Sequence, residues 1–197
     1  MNFQSFSFWG FFLVTVALAL LVGRKSRSGG KWVLCAASLF FCLQAGWKGL
    51  AVLAFSACVT FFAARALRGS KAILTALVIY HILVLCGFKY IGFLTGGALA
   101  APFVPLGLSF FTFQQIRYCK EVYEGRVKQE ESFRDFILFS FFFPTLSSGP
   151  ILNAGGFFPQ LKESTLLRPT AQDVSAALYA IILGCGKKVL QIGRAHV

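Results

Sequence analysis

Acidic residues are missing from the first 120 positions. No Asp or Glu precedes Glu121, and all seven in the chain fall within 121–173. Over the acid-free stretch, up to and including Lys120, there are 11 Lys and Arg. Histidine is scarce, with only His81 and His196. Charged residues make up 13% of the chain, against roughly 25% in an average soluble domain. There is no Gly-rich phosphate loop carrying a Lys, no G-x-S-x-G and no H-E-x-x-H, so the common soluble-enzyme motifs are excluded. Cysteine is present but forms no framework. Cys35, Cys42, Cys58, Cys86 and Cys185 lie within or at the ends of apolar runs, Cys119 lies at a helix end, and none has paired metal-ligand spacing. We expect free thiols acting as small apolar side chains, with no disulfide and no metal.

What is present is apolar mass. Hydrophobic residues account for 57% of the chain, with 24 Phe and 3 Trp among them. A soluble fold of 197 residues has no interior large enough to hide that much apolar surface. The net charge of +12 could suggest nucleic acid. The basic residues, however, sit in short clusters between apolar runs, where a bilayer places them, so nucleic acid is not expected as a partner.

Phe6–Val22 is an uncharged run close to the roughly 20 residues that a spanning helix needs. Its positive charges follow it and no small-residue cleavage motif is evident, which argues for a retained first helix over a signal peptide. The segment 24–31 reads as a loop carrying Arg24, Lys25, Arg27 and Lys31. Trp32–Ala45 is the second run, Gly46-Trp47-Lys48-Gly49 reads as a turn, and Leu50–Ala64 is the third run. Arg65, Arg68 and Lys71 close it, and Ala72–Gly87 is the fourth. The second and third runs are short, so they cross with their polar ends included or thin the bilayer around them. Short loops rich in Lys and Arg stay cytoplasmic. That places 24–31 and 65–71 inside, with the N-terminus and Lys48 outside. Arg117, Lys120, Arg126 and Lys128 also fall inside if Leu106–Tyr118 crosses back.

Gly92–Pro105, with Gly96, Gly97, Pro102 and Pro105, reads as a loop or broken membrane segment. Leu106–Tyr123 reads as helix. Ser132–Phe143 is a further apolar helix with Ser132 and Asp135 at capping-box spacing, and Pro144 is expected to stop it. Thr145–Gly156 is polar and irregular. Such backbone is either an ordinary surface loop or, at membrane depth, buried in protein or lining a wet cavity. Phe157–Thr170 is amphipathic and mixed, and Ala171–Leu190 returns to helix. The chain shows no internal repeat and no low-complexity tract.

Polar residues inside apolar helices are costly enough to mark a site. Ser109, Thr112 and Gln115 recur at three-residue steps and share one broad helix face, with Gln114 and Arg117 on others. The face lines a polar passage, or it supplies ordinary helix–helix hydrogen bonds. His81 sits mid-run beside Tyr80. An intramembrane His is a functional candidate, but no local carboxylate orients it, which favours a structural role.

Several segments together resemble a known family. Pro105-Leu106-Gly107-Leu108-Ser109-Phe110-Phe111-Thr112-Phe113-Gln114 is similar to a signature of the membrane-bound O-acyltransferase superfamily. The branch is the bacterial one of alginate O-acetyltransferases and teichoic-acid D-alanyltransferases. The likeness continues through Tyr123-Glu124-Gly125, then Phe133, Asp135 and Phe136, then Phe142-Phe143-Pro144. It reaches Ser148-Gly149-Pro150-Ile151 and Phe158-Pro159-Gln160-Leu161. Phe88-Lys89-Tyr90 and Gly184-Cys185-Gly186-Lys187-Lys188-Val189 are similar too. Ser148 stands where the family often has Ala, Cys119 is a departure, and Gln115-Ile116-Arg117 is more polar than usual.

The resemblance implies an all-α, polytopic integral membrane fold with five to seven membrane or re-entrant helices. It implies acyl transfer to a hydroxyl of an exported glycan at the cell membrane, with a His as general base. Helix 106–118 and segment 144–156 are the expected lining of a funnel for the acyl donor. Ser109, Thr112, Gln114, Gln115, Ser148, Gly149 and Pro150 are the candidate substrate-binding residues. The donor is expected to be an acyl-CoA or an acyl-carrier protein, with no resident cofactor. The bilayer, a polysaccharide acceptor and other membrane or periplasmic acylation proteins are the expected partners. No position matches the family's essential His, so no catalytic residue is assigned within the chain. Ile192-Gly193-Arg194-Ala195-His196-Val197 is the translation of a common sequencing adapter. Residues 192–197 are therefore expected to be a non-native tail after the N-terminal part of the transmembrane domain, 1–191. A transporter and a non-catalytic membrane scaffold are the rival readings; neither inverted repeats nor paired intramembrane charges support the first.

Overall fold

The computed structural model describes residues 5–67, 69–99, 103–127, 132–146, 149–162 and 169–187. Lys128, Ser147, Ser148, Lys188, Val189, His196 and the expected tail 192–197 lie outside them. The described residues form helices and connecting turns, with no strand among them. In chain order these are α1 (Phe6–Lys25), α2 (Arg27–Leu43), α3 (Trp47–Arg65) and α4 (Lys71–Leu85). A π-helical turn (Cys86–Tyr90) then leads into α5 (Ile91–Leu94). Next come α6 (Leu108–Tyr123), α7 (Phe133–Phe141), α8 (Phe143–Leu146), α9 (Ala154–Lys162) and α10 (Ala171–Lys187). Phe6–Lys25, Trp47–Arg65 and Lys71–Leu94 are each long and apolar enough to cross a bilayer. The chain is an all-α membrane protein.

The structure redraws several boundaries. Segment 24–31 is not a loop. Only Ser26 leaves helical geometry there, and its hydroxyl accepts from Gly29 N at 3.2 Å, capping α2. Gly29 is small because the turn is tight: a Cβ there would meet Val22 Cγ1 at 2.7 Å. The turn after α2 is 44–46, with Gly46 at φ 125, and Trp47 already begins α3. The second and third runs thus recruit polar flanks and reach 17 and 19 residues. At 1.5 Å per residue α3 spans about 28 Å and α2 about 26 Å, close to the hydrocarbon thickness.

Two ends of the bundle can be told apart by contact. At one end, Lys31 of α2 meets Asp135 of α7 at 2.9 Å. Phe61, one turn before Arg65, stacks edge-on with Phe133 at 5.0 Å. The α1–α2 turn is at this end too. At the other end, Gly49 packs against Pro105, and Lys89 donates to Ser109. Both lysine- and arginine-rich clusters therefore share one end, while Lys48 and Lys89 lie at the other.

Residues 133–146 and 149–162 form a hairpin that enters and leaves at the basic end. Asp135 starts at Lys31, and Phe143 N donates to Ser38 Oγ further up α2 at 3.4 Å. Leu146 reaches the level of Gly107 at the start of α6. The chain then returns through irregular residues 149–153, and Gly155 N donates to Glu121 Oε2 at 3.0 Å near the end of α6. The polar segment after α7 therefore runs alongside the length of α6 and is not a loose surface loop.

Aromatic side chains fill the joints of this hairpin. Tyr118 lies 4.8 Å from Phe136, and Phe139 lies 5.4 Å from Phe158. Phe143 sits in a cluster with Phe8, Phe11 and Phe41. Such pairs add roughly 0.5–1.5 kcal/mol beyond burial, which gives the abundant Phe a packing role. The α10 helix is exposed along nearly all of its length.

Candidate functional site

The α6 helix joins the two ends, and the candidate residues lie along it and along the hairpin beside it. It starts at Gly107, whose φ of 69 is left-handed, and a Cβ there would collide with the carbonyl oxygen of Leu146. Gly149 is also forced by contact, since a Cβ would collide with Thr145 Cα. Gly107 therefore marks a place where two backbone segments touch, and Gly149 a tight turn onto Thr145.

Ser109 lies at the mouth of a cavity of about 230 Å³ lined by Lys89, Val104, Pro105, Gly107, Leu108 and Phe110. Lys89 Nζ donates to Ser109 Oγ at 3.0 Å and lies 5.4 Å from the Tyr90 ring centre. Lys89 belongs to the π-helical turn, a distortion frequent at functional sites.

Deeper along α6 the polar side chains turn inward. Gln114 Nε2 donates to the Phe139 carbonyl, and Gln115 Nε2 donates to Ser140 Oγ at 3.0 Å. These two amides lace α6 to α7. Thr112 is fully buried, and Thr112 Oγ1 and Gln115 Oε1 have no hydrogen-bond partner among the described residues. Leaving such an atom unsatisfied costs about 1–3 kcal/mol.

At the basic end, Arg117 Nε donates to Glu121 Oε1 at 2.8 Å, and Arg117 Nη1 donates to the Ile151 carbonyl at 3.4 Å. The other carboxylate oxygen, Glu121 Oε2, takes the Gly155 amide. The pair thus ties the irregular chain at Ile151 and the first turn of α9 at Gly155 to α6. Gly149 is half-buried and Pro150 is exposed on this strand of the hairpin. Ser148 lies outside the described residues.

The capping box expected at Ser132 is not formed, for Ser132 makes no side-chain cap bond. Asp135 instead accepts from Lys31 at 2.9 Å on one oxygen and from Arg134 Nε at 2.9 Å on the other. Nor does Pro144 end α7: the break is at Phe142, with ψ 104. Pro144 sits in the first turn of α8, where its missing N–H costs nothing.

His81 is buried on α4. Thr60 Oγ1 has one proton and gives it to the Ser56 carbonyl at 2.9 Å. It also lies 2.9 Å from His81 Nε2, a hydrogen bond whose donor depends on the imidazole tautomer. His81 Nδ1 has no partner among the described residues. The pairing joins α3 to α4.

The sequence reading missed three of these contacts. Arg117 and Glu121 carry an i,i+4 spacing that could have revealed them. Lys89 with Ser109 was present as two separate motif fragments. Lys31 with Asp135 had no local signal, being 104 positions apart.

Curated proteins match part of this chain. A peptidoglycan O-acetyltransferase of Helicobacter pylori is 28% identical over 111 residues, 44% of this chain and 21% of that protein. The chain is related to bacterial acyltransferases. A probable alginate O-acetylase AlgI of Pseudomonas aeruginosa is 32% identical over 102 residues, 45% of this chain and 19% of that protein. A teichoic acid D-alanyltransferase of Lacticaseibacillus rhamnosus is 34% identical over 79 residues, 40% of this chain and 19% of that protein. The resemblance drawn from the motifs is borne out by these relatives. The matched stretch spans about a fifth of their length. No family model and no solved structure matches the chain.

Proposed function

We propose that this acyltransferase relative is the N-terminal part of a membrane enzyme that transfers an acyl group, acetyl in most relatives' naming, to a hydroxyl of an exported polysaccharide. The observation that carries the reading is the set of relatives. Three differently named polymers, peptidoglycan, alginate and teichoic acid, recur as acceptors, and acyl transfer recurs as the reaction. The donor, an acyl-CoA or an acyl-carrier protein, reaches the acceptor through a passage beside α6. Supporting this, α6 connects the Ser109 cavity at one end to Arg117 and the exposed Pro150 at the other. Its unpaired Thr112 and Gln115 oxygens lie between them and need water or substrate to satisfy them. The base that accepts the hydroxyl proton lies outside residues 1–191 in this reading. Inside the chain the candidate His81 has its Nε2 committed to Thr60.

The test uses the full-length protein that contains this chain. Gln115→Leu and Pro150→Ala should each slow acyl transfer by about tenfold, or 1.4 kcal/mol of barrier, with normal membrane insertion. Wild-type rates in both variants would leave α6 with a packing role only.

A further inference from the structure

A second cavity, of about 320 Å³, lies between α1, α2 and the hairpin. Val16, Ala19, Leu34, Leu138 and Phe157 are among its walls, and Gln160 supplies the polar exception. It is roughly twice the size of a cavity of about 150 Å³ that stays dry and takes benzene. A space so lined excludes water and accepts hydrocarbon. It is not sealed, because Val16, Leu34 and Phe157 are only half-buried.

Its depth is set by helix geometry. Ala19 is six residues from Lys25, about 9 Å along α1, and Leu34 is seven residues from Arg27, about 10 Å along α2. Half of the hydrocarbon layer is about 15 Å, so Ala19 and Leu34 place the cavity in the half of the bilayer nearer the basic end. The cations at that end are in excess. Among the described residues Asp135 is shared by Lys31 and Arg134, whereas Arg24 and Lys25 are exposed and form no ion pair. Exposed basic residues at a membrane surface attract anionic headgroups.

We propose that this cavity holds one acyl tail of an anionic phospholipid whose phosphate sits at Arg24 and Lys25. The tail wedges the α1–α2 hairpin against the re-entrant hairpin and holds the two together. The proposal does not rest on the acyl-transfer reading.

Full-length protein would be reconstituted into vesicles containing phosphatidylglycerol with a photoactivatable diazirine in its acyl chain, and cross-linked peptides mapped by mass spectrometry. Label should concentrate several-fold at residues 16, 19, 20, 34, 138 and 157, relative to the exposed Leu13, Leu18 and Leu21 of α1. An excess of unlabelled phosphatidylglycerol should remove that label, and an excess of phosphatidylcholine should not. Arg24→Gln with Lys25→Gln should abolish this preference, and Ala19→Phe should reduce cavity label several-fold. Even labelling of all exposed apolar faces would overturn the proposal. So would equal competition by phosphatidylcholine, or an unlabelled cavity filled by a later segment of the protein. The wild-type map is decisive without any variant, so a misfolded Ala19→Phe does not shelter the idea.

Discussion

At the scale of single residues, the motif positions are explained by contact. Gly107 is held in left-handed backbone against the Leu146 carbonyl. Gly107→Ala adds about 1–3 kcal/mol of backbone strain before any clash is counted. The variant should lose thermal stability in detergent, and an unchanged melting temperature would show that Leu146 moves away freely. Asp135 offers a sharper test. Its side chain and that of Lys31 are 6% and 12% exposed, so Asp135→Asn strands a cation in a nearly dry setting. Breaking such a pair costs about 3–5 kcal/mol, whereas replacing both partners by apolar residues is often close to neutral. Thermal unfolding should therefore show Asp135→Asn well below the triple variant Lys31→Met, Arg134→Leu and Asp135→Leu, which removes both cations with the carboxylate. Equal losses in the two would mean that the pair stabilises the fold outright.

At the scale of helices, apolar runs made the long elements legible and left their ends illegible. Run length alone stopped the second helix near Trp32, because Gly29 and Gly30 look like loop residues. In the structure they form the first turn of α2, where a close partner, Val22, demands a small residue. The hairpin 133–162 was legible in composition, as polar backbone after an apolar helix, but not in path. Its course depends on Lys31, Ser38, Gly107 and Glu121, all distant in sequence. The Ser109–Gln115 stripe was legible from helical spacing, whereas the partners at Phe139 and Ser140 were not.

The structure gathers the basic clusters at one end, and the charge bias proposes which side of the membrane that end faces. Cysteines introduced at Ser28 and Lys48, in a background lacking native thiols, separate the two orientations. An impermeant thiol reagent should label position 48 and spare position 28 in intact cells. The opposite pattern would reverse the orientation proposed here.

At the scale of the whole molecule, the question is whether residues 1–191 can catalyse acyl transfer alone. A glycan hydroxyl is a poor nucleophile near neutral pH and needs a base within hydrogen-bond reach. The buried groups here are already engaged. Asp135 is clamped by Lys31 and Arg134, and Glu121 by Arg117 and the Gly155 amide. Both carboxylates are also buried, at 4% exposed each, out of reach of an acceptor polymer. His81 Nδ1 has no partner among the described residues, but the side chain is 1% exposed and packed between α3 and α4. No acceptor polymer can approach it without parting those helices. Purified residues 1–191 in lipid, supplied with donor and acceptor, should therefore turn over no faster than a protein-free control. In the full-length protein, His81→Ala should cost stability more than rate, while loss of the proposed downstream base should abolish transfer. Turnover by the isolated chain that disappears in His81→Ala would overturn the assignment and move the base to α4.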